Sequence, residues 1–178
     1  GYYVLSFNNN TGISVDNFTL TDAIPAQFNV TSITVGGYDN FTGGTVTIRY
    51  QRSDNPGVWN VWPGSPFTPS NQTLNVSSLG LPGGVYITNL EWGYGTVGAD
   101  FRTNPAPRIN GIVMNPDRNG TAVNDGNTMT NTAQIDWEYL GVPGSDDDTQ
   151  SDIVRTPVAN PLVLKTTSTS GPYIPSSL

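Results

Sequence analysis

Cysteine and histidine are both absent from this chain, and lysine occurs once, at Lys165. Without cysteine no disulfide can hold the fold, which excludes the small disulfide scaffolds of secreted proteins. Without histidine the commonest metal ligand and the commonest general base near neutral pH are missing, which weighs against hydrolase triads, zinc centres and most acid-base enzymes. Only two of the carboxylates are glutamates, Glu91 and Glu138, and they form no paired motif, so no enzymatic turnover is expected. Charged residues make up 12% of the 178, at a net charge of −7. Nucleic acid is not an expected partner, because phosphate binding needs clustered Lys and Arg and the seven here are dispersed. No apolar run approaches the roughly 18 residues that cross a bilayer, and no charged segment leads into an apolar one, so no membrane insertion of this segment is expected. No cofactor or metal is expected either. Asp146-Asp147-Asp148 with Asp152 supplies oxygen ligands but not the spacing, glycine and closing glutamate of an EF-hand loop.

What the chain has in quantity is period-two alternation. Tyr3, Leu5 and Phe7 share a face, as do Phe18 and Leu20, then Val46, Ile48 and Tyr50, and finally Ala133, Ile135, Trp137 and Tyr139. Further strands are expected near 29–35, 57–62, 71–76, 84–92 and 108–114. Between them stand turn signals such as Gly36-Gly37, Asn55-Pro56-Gly57, Pro82-Gly83-Gly84 and Asp125-Gly126. With 20 glycines and 14 prolines against long helices, the fold class is all-β, a sandwich.

The order of the segments is cyclic. Pro161-Leu162-Val163-Leu164-Lys165-Thr166-Thr167 reads as an opening strand, and Gly1-Tyr2-Tyr3-Val4-Leu5-Ser6-Phe7 reads as the strand that should follow it. The expected organisation is therefore a β-sandwich over 1–141 lacking its first strand, with a β insertion at about 43–106, an acidic linker at 142–159, and a donor strand at 160–178 that completes the next copy. The last segment is long enough to cross a neighbouring domain, at roughly 60 Å if extended at ~3.3 Å per residue.

Four segments carry a family resemblance: Leu162-Val163-Leu164-Lys165-Thr166 as first strand, Tyr3 to Gly12 as second, Phe18 to Ala26 as third, and Thr130-Asn131-Thr132-Ala133 opening the last. Together they resemble the Ig-like conserved-repeat domains found in tandem in bacterial and archaeal cell-surface proteins, and their relatives, the isopeptide-forming domains of pilins. The long middle, with three of the four tryptophans, departs from the minimal domain. The resemblance implies an Ig-like sandwich and a crosslink in which Lys165 attacks the amide of Asn131 with help from Asp22, releasing ammonia. Burial favours the neutral amine, and a protonated carboxyl can hydrogen-bond the amide oxygen and polarise its carbonyl. Alternation supports part of this independently: Asn131 has the phase of Ala133 and Ile135, and Asp22 that of Phe18 and Leu20, so both point at the core. The plainer reading is that Asp22 closes a turn, Asn131 bonds a loop and Lys165 snorkels from a strand edge.

Asn9, Asn17, Asn29, Asn40, Asn71, Asn75 and Asn119 each begin an Asn-x-Ser/Thr sequon, which suggests a glycoprotein similar to the donor-strand threads of archaea, or simply an Asn/Thr-rich β surface. The leading expectation is a structural subunit of an extracellular cell-surface filament, pilus-like or thread-like. It polymerises with itself head to tail by strand complementation, with the isopeptide bond as a further expectation. The alternative is an adhesin or carbohydrate-binding module, with surface glycans as partner and Trp59, Trp62, Trp92 and Tyr94 as its aromatics. The odd spacing of Trp59 and Trp62 favours core packing of at least one.

Overall fold

The structure is a computed structural model, which describes residues 1–41 and 44–154. Lys165 and the expected donor strand lie outside the described residues. The strands are β1 (Tyr2–Val4), β2 (Val15–Ala23), β3 (Phe28–Gly36), β4 (Tyr38–Asp39), β5 (Thr47–Arg52), β6 (Asn55–Val61), β7 (Ser70–Asn75), β8 (Ile87–Val97), β9 (Arg102–Thr103), β10 (Arg108–Val113), β11 (Thr128–Tyr139) and β12 (Val142–Ile153), with one 3-10 turn at Val76–Leu79. They form an all-β sandwich of a four-stranded sheet, β1-β10-β3-β7, and a six-stranded sheet, β12-β11-β2-β8-β5-β6, with β4 and β9 paired beside them. All pairings are antiparallel.

The alternation read from the sequence is what builds the core. Phe18 and Leu20 of β2, Ile48 and Tyr50 of β5, and Leu90, Trp92 and Tyr94 of β8 turn inward and meet Val30, Ile33 and Val35 of β3. Trp92, at the centre, donates its indole N–H to the backbone oxygen of Thr34 in the other layer at 3.3 Å, so a buried polar atom ties the two sheets together. A second cluster gathers Phe7, Phe18, Tyr38, Phe41, Tyr94 and Phe101, with ring centroids 5.0–6.4 Å apart. Within it the Tyr38 and Tyr94 hydroxyls bond each other at 2.8 Å and Tyr38 donates on to Val35 at 2.7 Å.

The middle segment, expected as an insertion at 43–106, is β-structured but forms no body of its own. It supplies β5, β6 and β8 to one sheet and β7 to the other. The stretch from β6 to β7 folds back with Trp62 and Phe67 buried. Phe67 and Val46 exchange both backbone hydrogen bonds at 2.8 Å, which covers that side of the sandwich.

The acidic linker expected at 142–159 is corrected over Val142–Ile153, which is β12. It pairs with β11 along its whole length, from Tyr139↔Val142 to Thr128↔Ile153. The two-residue turn is Leu140-Gly141, with φ of 52° and 78°, the doubly left-handed turn whose twist suits a hairpin. β12 buries none of its own residues, so no hydrophobic alternation marks it; backbone bonds to β11 define it, joined by hydroxyl pairs Thr130–Ser151 and Thr132–Thr149 at 3.0 Å. Its aspartates line a free sheet edge, where charge discourages unwanted pairing.

Candidate functional site: an open strand position

The two sheets end on the same side of the molecule, one in β1 and the other in β12, and between these edges lies a groove of about 720 Å³. One wall is the segment from Tyr2 to Thr11, the other is β12 with its aspartates, and the floor is β11 and β2. β2 and β11 are neighbours in one sheet, yet their inward side chains fare differently. Phe18 and Leu20 are each 2% exposed, whereas Ala133, Ile135 and Trp137 are only half-buried. In a closed two-layer sandwich the inward faces of adjacent strands are covered alike. Trp137 lies flat on the floor over Gly144 of β12, where a Cβ would come within 2.7 Å of the indole.

The wall is also an unpaired strand edge. Gly1 accepts from Gly111 and Leu5 donates to Pro107, so in the alternating antiparallel pattern the backbone groups of Tyr2, Val4 and Ser6 face away from β10 toward the opening.

At one end of the groove the structure brings Asp22 and Asn131 together. Asp22 on β2 is fully buried, Asn131 on β11 is 4% exposed, and the Asn131 Nδ2 donates to Asp22 Oδ2 at 2.8 Å. Their phases agree with the alternation of their strands, because β2 and β11 are adjacent and Asp22 stands opposite Ala133. The carboxyl thus meets the amide nitrogen, not the amide oxygen as expected. Burial pushes the Asp22 pKa up to about 7, only partly offset by the hydrogen bond from Asn131.

Tyr3, which alternation places on one face with Leu5 and Phe7, completes this end. Burial first, then the charges of Asp152 and Asp22, push its phenol up to about 12. Among the described residues the buried side-chain polar atoms without a partner are Tyr3 Oη, Asp22 Oδ1 and Asn131 Oδ1. Such atoms cost about 1–3 kcal/mol each when left unmade. Tyr3 and Asn131 line the groove, and Asp22 lies behind Asn131, bonded to its amide nitrogen.

Of the sequon asparagines, Asn17, Asn40, Asn71, Asn75 and Asn119 are exposed and Asn29 is half-buried. Asn9 is corrected: it is 4% exposed, its amide nitrogen donates to Ile13 and Gly98 at 2.8 Å, and its oxygen accepts from Thr11. That amide is committed to holding the 9–13 turn and is closed to a glycan. Trp62, Trp92 and Tyr94 are core residues, and Trp59 is half-buried with the Arg49 guanidinium 5.5 Å from its ring, so the four aromatics do not form a shared exposed platform. No group of three or more acidic side chains is arranged to hold a metal ion among the described residues, and no helix among them is long and apolar enough to cross a membrane.

No family model, no curated protein and no solved structure matches the chain.

Proposed function

We propose that the chain is a structural subunit of an extracellular cell-surface filament, built head to tail by one copy's 160–178 segment adding a β-strand to the next. The observation that carries this is the groove: β11 with its inward face half-covered, beside β1 with its backbone groups unpaired. An incoming strand would bond Tyr2, Val4 and Ser6 and lay alternate side chains on Ile135 and Trp137, which is β-augmentation. The three unpartnered polar atoms at one end support Lys165 as the side chain received there.

Lys165 arriving at that end meets the chemistry of an isopeptide bond. Its neutral Nζ attacks Cγ of Asn131, the new C–N bond forms, and the Cγ–Nδ2 bond breaks. Nδ2 leaves as ammonia after gaining the proton that Nζ gives up. Asp22, bonded to Nδ2 and with its carboxyl poised near neutrality, is the group to carry that proton.

The exposed sequons suit this arrangement. Asn71 and Asn75 lie on β7, at the opposite edge of the four-stranded sheet from β1, so glycans there would block lateral pairing and leave the acceptor edge free. Electron microscopy of the purified full chain, concentrated at neutral pH, tests the proposal. Filaments with an axial repeat of one domain are expected, and chains that stay monomeric at every concentration would defeat it.

A further inference from the structure

We infer that the strand received by the groove belongs to another copy, enters at the Tyr139–Val142 hairpin end, and runs antiparallel to β1 with Lys165 reaching the Asp22 end last. This rests on the strand-acceptor reading above and adds the direction of the strand and the reason a chain cannot fill its own groove.

The direction follows from matching two asymmetries. The β11 floor of the groove is polar at Asn131, with Asp22 bonded behind it, and apolar from Ala133 through Ile135 to Trp137 toward the hairpin, while the β12 wall is acidic along its length and so favours neither direction. The 160–170 segment is apolar before its lysine, in Pro161-Leu162-Val163-Leu164, and polar after it, in Thr166-Thr167-Ser168-Thr169-Ser170. With Lys165 at the polar end, only a strand descending from the hairpin end lays Val163 near Ala133 and Pro161 near Ile135. The reverse direction would put Thr167 on Ala133 and Thr169 on Ile135. Because β1 and the residues after it run from Tyr3 near Asp22 to Phe7, stacked on Phe18 at 5.6 Å, the descending strand is antiparallel to β1.

The source follows from reach. β12 ends at the Asp22 side, where Val154 donates to Asn127, four residues before Asn131 on β11. Pro161 level with Ile135 is eight residues of β11 above Asn127, about 26 Å at ~3.3 Å per residue. The seven residue steps from Val154 to Pro161 span at most about 25 Å when fully extended, and the chain must also climb past that level and turn back. A subunit cannot fill its own groove in this direction. Each copy therefore receives at the hairpin end and sends from the Val154 end, a contact that repeats along a line without closing on a pair. It also gives the exposed apolar tip, with Tyr139 at 43%, Leu140 at 82% and Val142 at 66%, a neighbour to rest against: the copy that donates the strand.

The absence of cysteine makes this testable with single thiols. With Lys165 opposite Tyr3, Val4 faces Leu164 and Ser6 faces Leu162, whereas the reverse direction sets Ser6 opposite Ser168. Full-length Val4→Cys chains are mixed with full-length Leu164→Cys chains, assembled, oxidised and digested without reduction. Ser6→Cys with Leu162→Cys and Ser6→Cys with Ser168→Cys are treated alike. Linked peptides are expected from the first two mixtures at about tenfold or more above the third, since Cα atoms more than ~7 Å apart cannot be bridged. Linkage dominated by the third mixture, with filaments intact, would overturn the direction and leave the acceptor reading standing. Linkage in the double variant Val4→Cys/Leu164→Cys but not in the first mixture would overturn the source. No linkage in any mixture, from wild-type chains that form no polymer, would take down both readings together.

Discussion

Replacing Ile135 with aspartate is expected to abolish the proposed polymerisation and leave the subunit folded. Ile135 is half-buried on the groove floor, so in the single subunit a carboxylate at this position keeps contact with water. Once a strand covers the groove, the same carboxylate is trapped against Ala133, Trp137 and the incoming apolar side chains with no cation beside it. Burying an unpartnered polar group costs about 4 kcal/mol or more. That weakens association by roughly three orders of magnitude. Analytical sedimentation of the variant should show a monomer with wild-type circular dichroism at concentrations where the wild-type chain is polymeric. The matched control is Ile48→Asp, at a site with no exposure, which should fail to fold. Wild-type polymers from Ile135→Asp would mean that the groove is not the joint.

Changing Asp22 to asparagine is expected to remove both a pH dependence and the crosslink. The folded-state pKa of Asp22 lies near 7, above the ordinary 3.8, because burial penalises the charged form. The folded subunit therefore binds the proton more tightly than the unfolded chain. Its contribution to stability is fully present below about pH 4, declines as pH rises from 4 to 7, and is gone above that. At ~1.4 kcal/mol per unit, the decline amounts to at most roughly 4 kcal/mol. Asn131 bonds it and Tyr3 lies near it, and neither supplies a positive charge. Denaturant melts of the monomeric Ile135→Asp background at pH 4.5 and pH 8 should differ clearly, and adding Asp22→Asn should bring them together. A slope that survives the substitution would place the titration elsewhere. In the assembling chain Asp22→Asn should also leave Lys165 and Asn131 unjoined, since the carboxyl bonded to the leaving nitrogen is gone.

Strands that bury a face announced themselves in the sequence. β2, β5 and β11 carry the alternating residues from which they were read, and the inward phase of Asp22 and Asn131 was visible for the same reason. β12 was not legible, because Pro143, Gly144 and a run of aspartates give it no buried face and its position depends on pairing with β11, through the backbone and the Thr130–Ser151 and Thr132–Thr149 hydroxyls. The middle segment read as an insertion because pairing across long separations leaves no local mark. Nothing in Ile48 or Trp92 says that their strands lie side by side in the larger sheet. A sequon is likewise blind to the turn around it, so Asn9 looked like its six counterparts until its amide was seen bonding Ile13 and Gly98. Alternation had placed Tyr3 inward with Leu5. What alternation could not supply was the cross-sheet placement that sets its unpartnered hydroxyl at the Asp22 end.

Whether neighbouring chains are joined is tested most directly by peptide mass spectrometry on assembled material boiled in denaturant and digested, read beside a chain-length ladder of the same sample. The Lys165 peptide is expected joined to the Asn131 peptide with the loss of one ammonia, in bands at multiples of the single-chain mass. Both peptides recovered separate and unmodified from intact filaments would contradict the crosslink. A joined pair confined to the single-chain band would contradict the head-to-tail joint itself.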